Sequence, residues 1–279
     1  MTAPSVRLYP AKTPEVYWFT GCSDDILDPS ANAHAMALLK SEGVTAIEPH
    51  MGCCGRGVYD MGYSDQAIQL ATFMIAQFND DIPVLTLSSE CVAFVRNHLP
   101  HLLIDHELEE AAAELAARTF HWAEYMWHVC KPNWTDRGAP IDVMFHTSCE
   151  ERSHTHNQSA TNQLLGLLKQ VKVTAMPTLG QCCGANQIVQ LISLETTDGL
   201  LERILKPMLN KPPAVLLGNH TNCLKRFHYA MLERQSDTAV MSLPTFIRMR
   251  LKPPVRSVTD TDSANHSTNA QSEPTDVDK

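Results

Sequence analysis

Eight of the nine cysteines in this 279-residue chain fall into two copies of one pattern. The first copy is Cys22, then Cys53-Cys54-Gly55, then Cys91; the second is Cys149, then Cys182-Cys183-Gly184, then Cys223. The intervals between them nearly repeat. A chain duplicated at this scale builds one unit twice, so the repeat constrains the fold before any local propensity is weighed. Four thiolates per copy are what one iron–sulfur cluster requires. The pattern therefore predicts a carrier of two metal clusters whose work is electron chemistry.

The repeat extends beyond the cysteines. Val16 to Cys22 and Val143 to Cys149 are both apolar runs that end in a small polar turn and then Cys. Val44 to Pro49 and Val173 to Pro177 are both short strands stopped by Pro ahead of the Cys-Cys-Gly. Pro83 to Ser89 and Pro213 to Asn219 are both strands of buried type running towards the last Cys. Each copy reads strand, helix, strand, Cys-Cys-Gly turn, helix, strand, helix. Asp28-Pro29 is a helix start, with Asp as cap and Pro in the first turn. Ala31, Ala35, Leu38 and Leu39 then form one buried stripe, and Gly43 ends the helix. Leu164, Leu167, Leu168 and Val171 give the same stripe in the second copy. Further helices are expected at about Asp65 to Phe78 and Ile188 to Leu209. Strands alternating with helices predict an α/β fold: two tandem repeated modules, each a small parallel sheet flanked by helices, related by pseudo-twofold symmetry.

The expected organisation is a first cysteine-rich module over residues 1–105, a mainly helical connection over 106–138, a second module over 139–252 and a disordered polar tail over 253–279. The tail is Ser, Thr, Asp and Asn with almost nothing apolar, too little to pack. The connection holds Phe120, Trp122, Tyr125, Trp127 and Trp134, which are expected to pack between the modules. An apolar fraction of 44% suits a globular chain. A net charge of −9 argues against a nucleic-acid surface. Met1 to Glu15 has no apolar signal core, and no run is long enough to span a bilayer. The expectation is a cytoplasmic protein, where thiols stay reduced and cysteine clusters serve metal or redox sites rather than disulfides.

Every cysteine of the repeat follows a strand and precedes a helix. In an open α/β sheet that is the carboxyl edge, where ligands bind. Helix N-termini there direct N–H groups at the negative charge that a thiolate-bound cluster carries. Adjacent cysteines in a strand would point to opposite faces, so Cys53-Cys54 and Cys182-Cys183 need a turn to face one cluster. Gly55 and Gly184, lacking Cβ, allow that turn. The alternatives are a zinc site, vicinal disulfides and simple buried thiols. Zinc favours short Cys-x-x-Cys hairpins, and the sequence has none. Cys130 lies outside both copies and reads as a buried free thiol.

The segments Phe19-Thr-Gly-Cys22, Gly52-Cys-Cys-Gly55, Ser88-Ser-Glu-Cys91, Phe145-His-Thr-Ser-Cys149, Gln181-Cys-Cys-Gly184 and Gly218-Asn-His-Thr-Asn-Cys223 resemble the tandem cysteine-rich (CCG) domain family. That family includes the cysteine-rich subunit of heterodisulfide reductase, the iron–sulfur subunit of glycolate oxidase and the lactate utilisation protein A group. The layout here, two CCG domains with no added ferredoxin domain, is that of the last group. The resemblance covers about Val16 to Met231. It implies electron transfer between clusters during oxidation of a 2-hydroxy acid such as lactate or glycolate, or else reduction of a disulfide. In heterodisulfide reductase relatives the motif ends in Cys-x-x-Cys, with five thiolates and a noncubane cluster. Here the earlier position is Ser88 in one copy and His220 in the other. Four thiolates per copy therefore favour two ordinary [4Fe–4S] clusters over the disulfide-reductase branch.

Ser88, His220, Arg56 and His146 are candidates to surround the clusters, as donors or charge partners. His50, His154 and His156 lie near the sites in sequence. There is no Gly-x-Gly-x-x-Gly at a strand-to-helix turn and no P-loop, so no flavin, nicotinamide or nucleotide site is expected. Electrons must pass through other subunits of an oxidoreductase complex, a ferredoxin-type or flavin-bearing protein. The chain thus reads as a non-autonomous iron–sulfur subunit, against two other classes: a thiol/disulfide reductase subunit and a metal-bearing scaffold without turnover.

Overall fold

A computed structural model describes residues 7–152, 158–177, 180–185, 190–191 and 193–252. The expected polar tail, His154 and His156 lie outside the described residues. Two four-stranded parallel sheets carry the fold. The first contains β1 (Glu15–Trp18), β2 (Thr45–Ile47), β3 (Val84–Thr86) and β4 (Thr119–His121), in the order β2-β1-β3-β4. The second contains β5 (Ile141–His146), β6 (Val171–Ala175), β7 (Val215–Gly218) and β8 (Ala239–Ser242), in the order β6-β5-β7-β8. The two orders are the same topology used twice.

Strand alternation explains how the sheets are covered. Val16 and Trp18 of β1 join Val143 and Phe145 of β5, and Val215 and Leu217 of β7, in one core that both modules share. Tyr17 and Phe19 point the other way, under the helices Ser64–Gln77 and Glu109–Arg118. Met144 and Leu216 do the same in the second module, under Leu194–Leu209 and Thr221–Glu233. Both faces of the central strands are buried, as parallel sheets require, while the edge strands β2 and β6 stay largely exposed.

The shared core holds Phe120, Trp122 and Tyr125, with Trp127 and Trp134 packed against it. The connecting aromatics therefore do sit between the modules. Two of the indoles and the phenol find partners: Trp122 Nε1 donates to the Ala35 carbonyl at 3.3 Å, Trp134 Nε1 to Glu42 at 3.1 Å, and Tyr125 Oη meets Thr13 Oγ1 at 3.3 Å. Each such fully buried large side chain contributes roughly 1.5–3 kcal/mol. The helix Pro29–Ser41 of the first module packs on Leu243–Leu251 of the second, where His34 Nδ1 meets Thr245 Oγ1 at 3.1 Å.

The capping expectation at Asp28 is met: its carboxylate accepts from Ala31 N at 3.1 Å, and Pro29 opens the helix. Two local readings need correction. The stripe Leu164 to Val171 is not one helix: the helix Gln158–Gly166 stops at Gly166, and Val171 already begins β6. Leu168 still reaches the core from the intervening turn. Each sheet also has a fourth strand that the repeat did not announce. β4 lies inside the connecting segment, between the helices Glu109–Arg118 and Trp122–Tyr125. The latter continues as a π-helical turn, Met126–Cys130.

Candidate metal centres

In both sheets the chain leaves the central strand for one neighbour and then crosses to the other side. That reversal at β1, and again at β5, opens a crevice at the carboxyl edge. Three strands deliver the cysteines to it. Cys22 begins the helix Cys22–Leu27 after β1. Cys53 and Cys54 follow β2. Cys91 sits in the helix Ser89–Ala93 after β3. Cys149, Cys182-Cys183 and Cys223 follow β5, β6 and β7 in the same way.

The sequence pair Cys-Cys-Gly becomes one sharp turn in each module. Gly55 takes φ +91° and Gly184 φ +71°, the left-handed region that glycine enters freely. A Cβ at Gly184 would also lie 2.7 Å from the Thr197 carbonyl oxygen, whereas one at Gly55 would touch Leu70 at an ordinary 3.4 Å. The turn aims an amide at a sulfur. Gly55 N–H faces Cys53 Sγ at 3.4 Å, and Gly184 N–H faces Cys182 Sγ at 3.3 Å. The helix that carries the last cysteine of each module is capped from the site. Ser88 Oγ accepts from Cys91 N at 3.2 Å, and His220 Nδ1 accepts from Cys223 N at 3.4 Å. Ser88 and His220 thus hold the equivalent place and do the same work. Capping positions the last cysteine; it was not among the roles expected for them.

The sulfurs of each set come together. Cys22 Sγ is 3.9 Å from Cys53 Sγ, and Cys54 bridges Cys53 and Cys91. Cys149 meets Cys182, and Cys183 meets Cys223. All nine cysteines are free of disulfides. Burial follows one gradient in both modules. Cys22 and Cys149 are exposed, Cys53 and Cys182 half-buried, and Cys54, Cys183, Cys91 and Cys223 buried. The first set borders a cavity of about 260 Å³ that also includes Arg56, Ser88, Glu90 and, from the second module, Leu191 and Asn222.

Crowded thiols share protons unequally. Hydrogen bonds from Cys22 and then Cys54 hold the Cys53 thiol far below its ordinary range, while the Cys53 contact and then burial push Cys22 up. The Cys149 hydrogen bond brings Cys182 down to about 6, against burial. Cys183 falls well below the ordinary range, first through Cys223 and further through His146 beside it. Each set therefore presents thiolate next to thiols that a metal can deprotonate. The donor chemistry, four sulfurs facing one space with an amide N–H on one of them, fits an iron–sulfur cluster.

The remaining candidates divide clearly. Arg56 Nε donates to both oxygens of Asp60, at 2.8 and 2.7 Å, and its Nη2 reaches Glu150 of the second module at 3.4 Å. His220 Nε2 pairs with Glu90 of the first module at 3.4 Å. Burial opposes charge on His220 and the Glu90 carboxylate favours it; the cap on Cys223 N needs an unprotonated Nδ1, so the capping form is the neutral ring donating through Nε2 to Glu90. His146 is buried, with a ring nitrogen and the sulfurs of Cys183 and Cys223 all within 4.8 Å of one another. His50 is exposed. Cys130 is buried in the shared core, away from both sets, and burial pushes its thiol up to about 12.

Asp24 is a functional neighbour that sequence reading missed. It lies two residues past Cys22, is buried, and accepts from Thr221 Oγ1 of the second module. Burial raises its carboxyl to about 6. Four pairs thus cross between the modules beside the sites: Asp24–Thr221, Ser23–Asn222, Glu90–His220 and Arg56–Glu150. Only long-range topology puts these residues together, so no local motif could have shown them.

The family model described as CCG, cysteine-rich domain, matches residues 16–96 and 143–230, together more than half of the chain. Lactate utilization protein A of Exiguobacterium sp. is 27% identical over 217 residues, covering 76% of this chain and 87% of that protein. The protein of the same name from Geobacillus kaustophilus is 29% identical over 214 residues, covering 75% and 88%. A hypothetical protein from Helicobacter pylori, known as a crystal structure, shares the fold at 12% identity with a TM-score of 0.59 over 88% of this chain. The present chain spans about half of that one, 51%. With the cysteine-rich model matched once on each of its two parallel sheets, the chain belongs to the CCG cysteine-rich domain family, as a tandem pair.

Proposed function

We propose that each module holds one iron–sulfur cluster and that the chain passes electrons as a subunit of a multi-protein lactate-utilising oxidoreductase. One observation carries this reading: two equivalent sets of four cysteines converge at the carboxyl edges of two identical sheets, each with a glycine amide on a sulfur. Cys22, Cys53, Cys54 and Cys91 would hold one cluster, and Cys149, Cys182, Cys183 and Cys223 the other, each of [4Fe–4S] type. The relatives named for lactate utilisation supply the substrate class. Such clusters supply one-electron transfer.

The protein's own residues act on position and charge. The amides of Gly55 and Gly184 spread negative charge away from the sulfurs. Ser88 and His220 fix the helices that carry Cys91 and Cys223. The four cross-module pairs set the spacing between the sites. Exposed Cys22 and Cys149 turn one edge of each site towards a partner. Oxidising a 2-hydroxy acid normally needs an organic cofactor that takes two electrons at one centre. The chain has no glycine fingerprint for one, so a flavin-bearing or ferredoxin-type partner completes the reaction. Among the described residues no helix is long and apolar enough to cross a membrane. We place the complex in the cytoplasm, where the thiols stay reduced.

Anaerobic reconstitution with iron and sulfide tests the reading. About eight iron and eight sulfide per chain are expected, four of each per module, with a cubane EPR signal on reduction. Stoichiometric zinc in place of iron, or no metal, overturns it. The isolated chain should not oxidise lactate or glycolate with an artificial acceptor, and turnover of either acid would make it the catalyst itself. Reduction of an added disulfide by the pre-reduced protein would move it to the disulfide-reductase branch.

A further inference from the structure

The two sites share their cysteines and glycine turns but differ around them: Ser88 stands where His220 does, Arg56 where Ala185 does, and the central strands end in different residues. Phe19 stands three positions before Cys22, and His146 stands three before Cys149. The two residues leave equivalent strands at equivalent heights. Phe19 is fully buried against Phe78, an apolar neighbour at 5.8 Å between ring centroids. His146 is only 4% exposed and packs edge-on against Phe227 at 4.8 Å. Its Nε2 is buried and has no hydrogen-bond partner at ordinary distance among the described residues, while the ring already bears on the Cys183 sulfur. One of its ring nitrogens and the sulfurs of Cys183 and Cys223 all lie within 4.8 Å of one another.

A buried imidazole N–H without an acceptor costs free energy of the order of 1–3 kcal/mol. A thiolate or cluster sulfur provides that acceptor. The other imidazole of the second site is already engaged: His220 takes the Cys223 amide on Nδ1 and Glu90 on Nε2. His146 is therefore the ring with donor capacity to spare. Hydrogen bonds to cluster sulfurs stabilise the more negative, reduced form and so raise the reduction potential. A phenyl ring offers no such donor.

We propose that His146 donates a hydrogen bond to the sulfur ligands of the second site and makes that module the electron-accepting end of the pair. This rests on the iron–sulfur reading above. The step is the transfer of one electron: the first module's cluster is oxidised by one, the second module's is reduced by one, and no bond is made or broken. His146 biases the direction, and the duplicated scaffold becomes a one-way pair.

The test uses the full chain reconstituted with iron and sulfide and titrated with dithionite under EPR. Potentials are assigned with a Cys53→Ser, Cys54→Ser background that leaves the second site alone. His146→Phe copies the first module's own residue. It should keep full iron and lower the second site's potential by the equivalent of a tenfold change in electron partition, about 59 mV for one electron. His146→Gln keeps a donor and should recover most of that shift. Phe19→His should raise the first site's potential, and it decides the question if His146→Phe does not load. Full iron with unmoved potentials overturns the proposal. Loss of iron from the second site in both His146 variants would make His146 a ligand and also overturn it. Absence of iron from the unmutated chain would defeat the iron–sulfur reading instead, a separate failure.

Discussion

The first and second modules have the same strand order, the same cysteine burial gradient and the same amide-to-sulfur contact, yet they are supported differently. In the first module the helix after the fourth strand is capped by His121 and Glu124 acting together. Glu124 accepts from the His121 amide at 3.0 Å and from Arg96 Nη2 at 2.6 Å, all three side chains being buried. The equivalent helix of the second module begins at Ser242, which makes no side-chain bond to the helix amides; its hydroxyl donates instead to the Thr245 hydroxyl at 2.9 Å. Its buried ion pair lies elsewhere, between Arg250 and Asp136 at 2.8 Å. The difference teaches what duplication preserves. The cysteine turns are held constant, while the helices after the fourth strands of the same parallel sheets start with different side-chain contacts.

The largest expected effect asks whether the two sites are independent. Cys54→Ser should strip iron from the first module and Cys183→Ser from the second, each leaving about half of the iron bound, because each set has its own four thiolates. Equal loss from both modules in either variant would show one coupled site.

Next in size is the support network. Glu124→Gln leaves Arg96 buried without its charge partner and should cost roughly 3–5 kcal/mol in denaturant unfolding. Ser242→Ala, at the position that matches His121, should cost about 1 kcal/mol or less. Acid sharpens the contrast. Burial favours the neutral Glu124 carboxyl, but Arg96 outweighs it and holds the group below its ordinary 4.5. Its stabilisation is present above 4.5 and is lost as pH falls through the depressed value. Glu124→Gln should therefore flatten the acid limb of the melting curve. An unchanged limb would remove Glu124 from that role.

A smaller contrast separates the two glycines. A side chain in the left-handed region costs about 1–2 kcal/mol, which is the expected cost of Gly55→Ala. Gly184→Ala adds the collision with the Thr197 carbonyl, a further cost of roughly 1–3 kcal/mol. Equal destabilisation in urea titrations would mean that the helix beginning at Leu194 yields. Smallest of all, Cys130→Ser should leave the iron content unchanged, since that thiol sits in the shared core and faces neither set.

Much of the site was legible because the chemistry itself restricts the chain. A Cys-Cys pair facing one space demands a turn, and a turn demands Gly55 and Gly184. Asp28-Pro29 marked its helix by cap chemistry alone. The fourth strands were hidden because β4 is only three residues long and is followed at once by Trp122, whose apolar run reads as helix. Ser88 and His220 looked like ligand replacements; the cap spacing to Cys91 and Cys223 was present, but His seldom serves as a cap. Glu150 and Asp24 were silent because their partners lie in the opposite module.

The core shared by the two sheets also bears on ancestry. Val16 and Trp18 on one side and Val143 and Phe145 on the other are the same two strand positions, contributed once by each module. A lone module would carry that apolar face into water, where faces of this kind seek a partner. A self-matching surface on identical units is the condition for a closed two-subunit assembly. The unduplicated progenitor is thus best pictured as a homodimer. Fusion of its two copies then freed each half to change separately, and only in a fused chain could one half keep Phe19 while the other acquired His146.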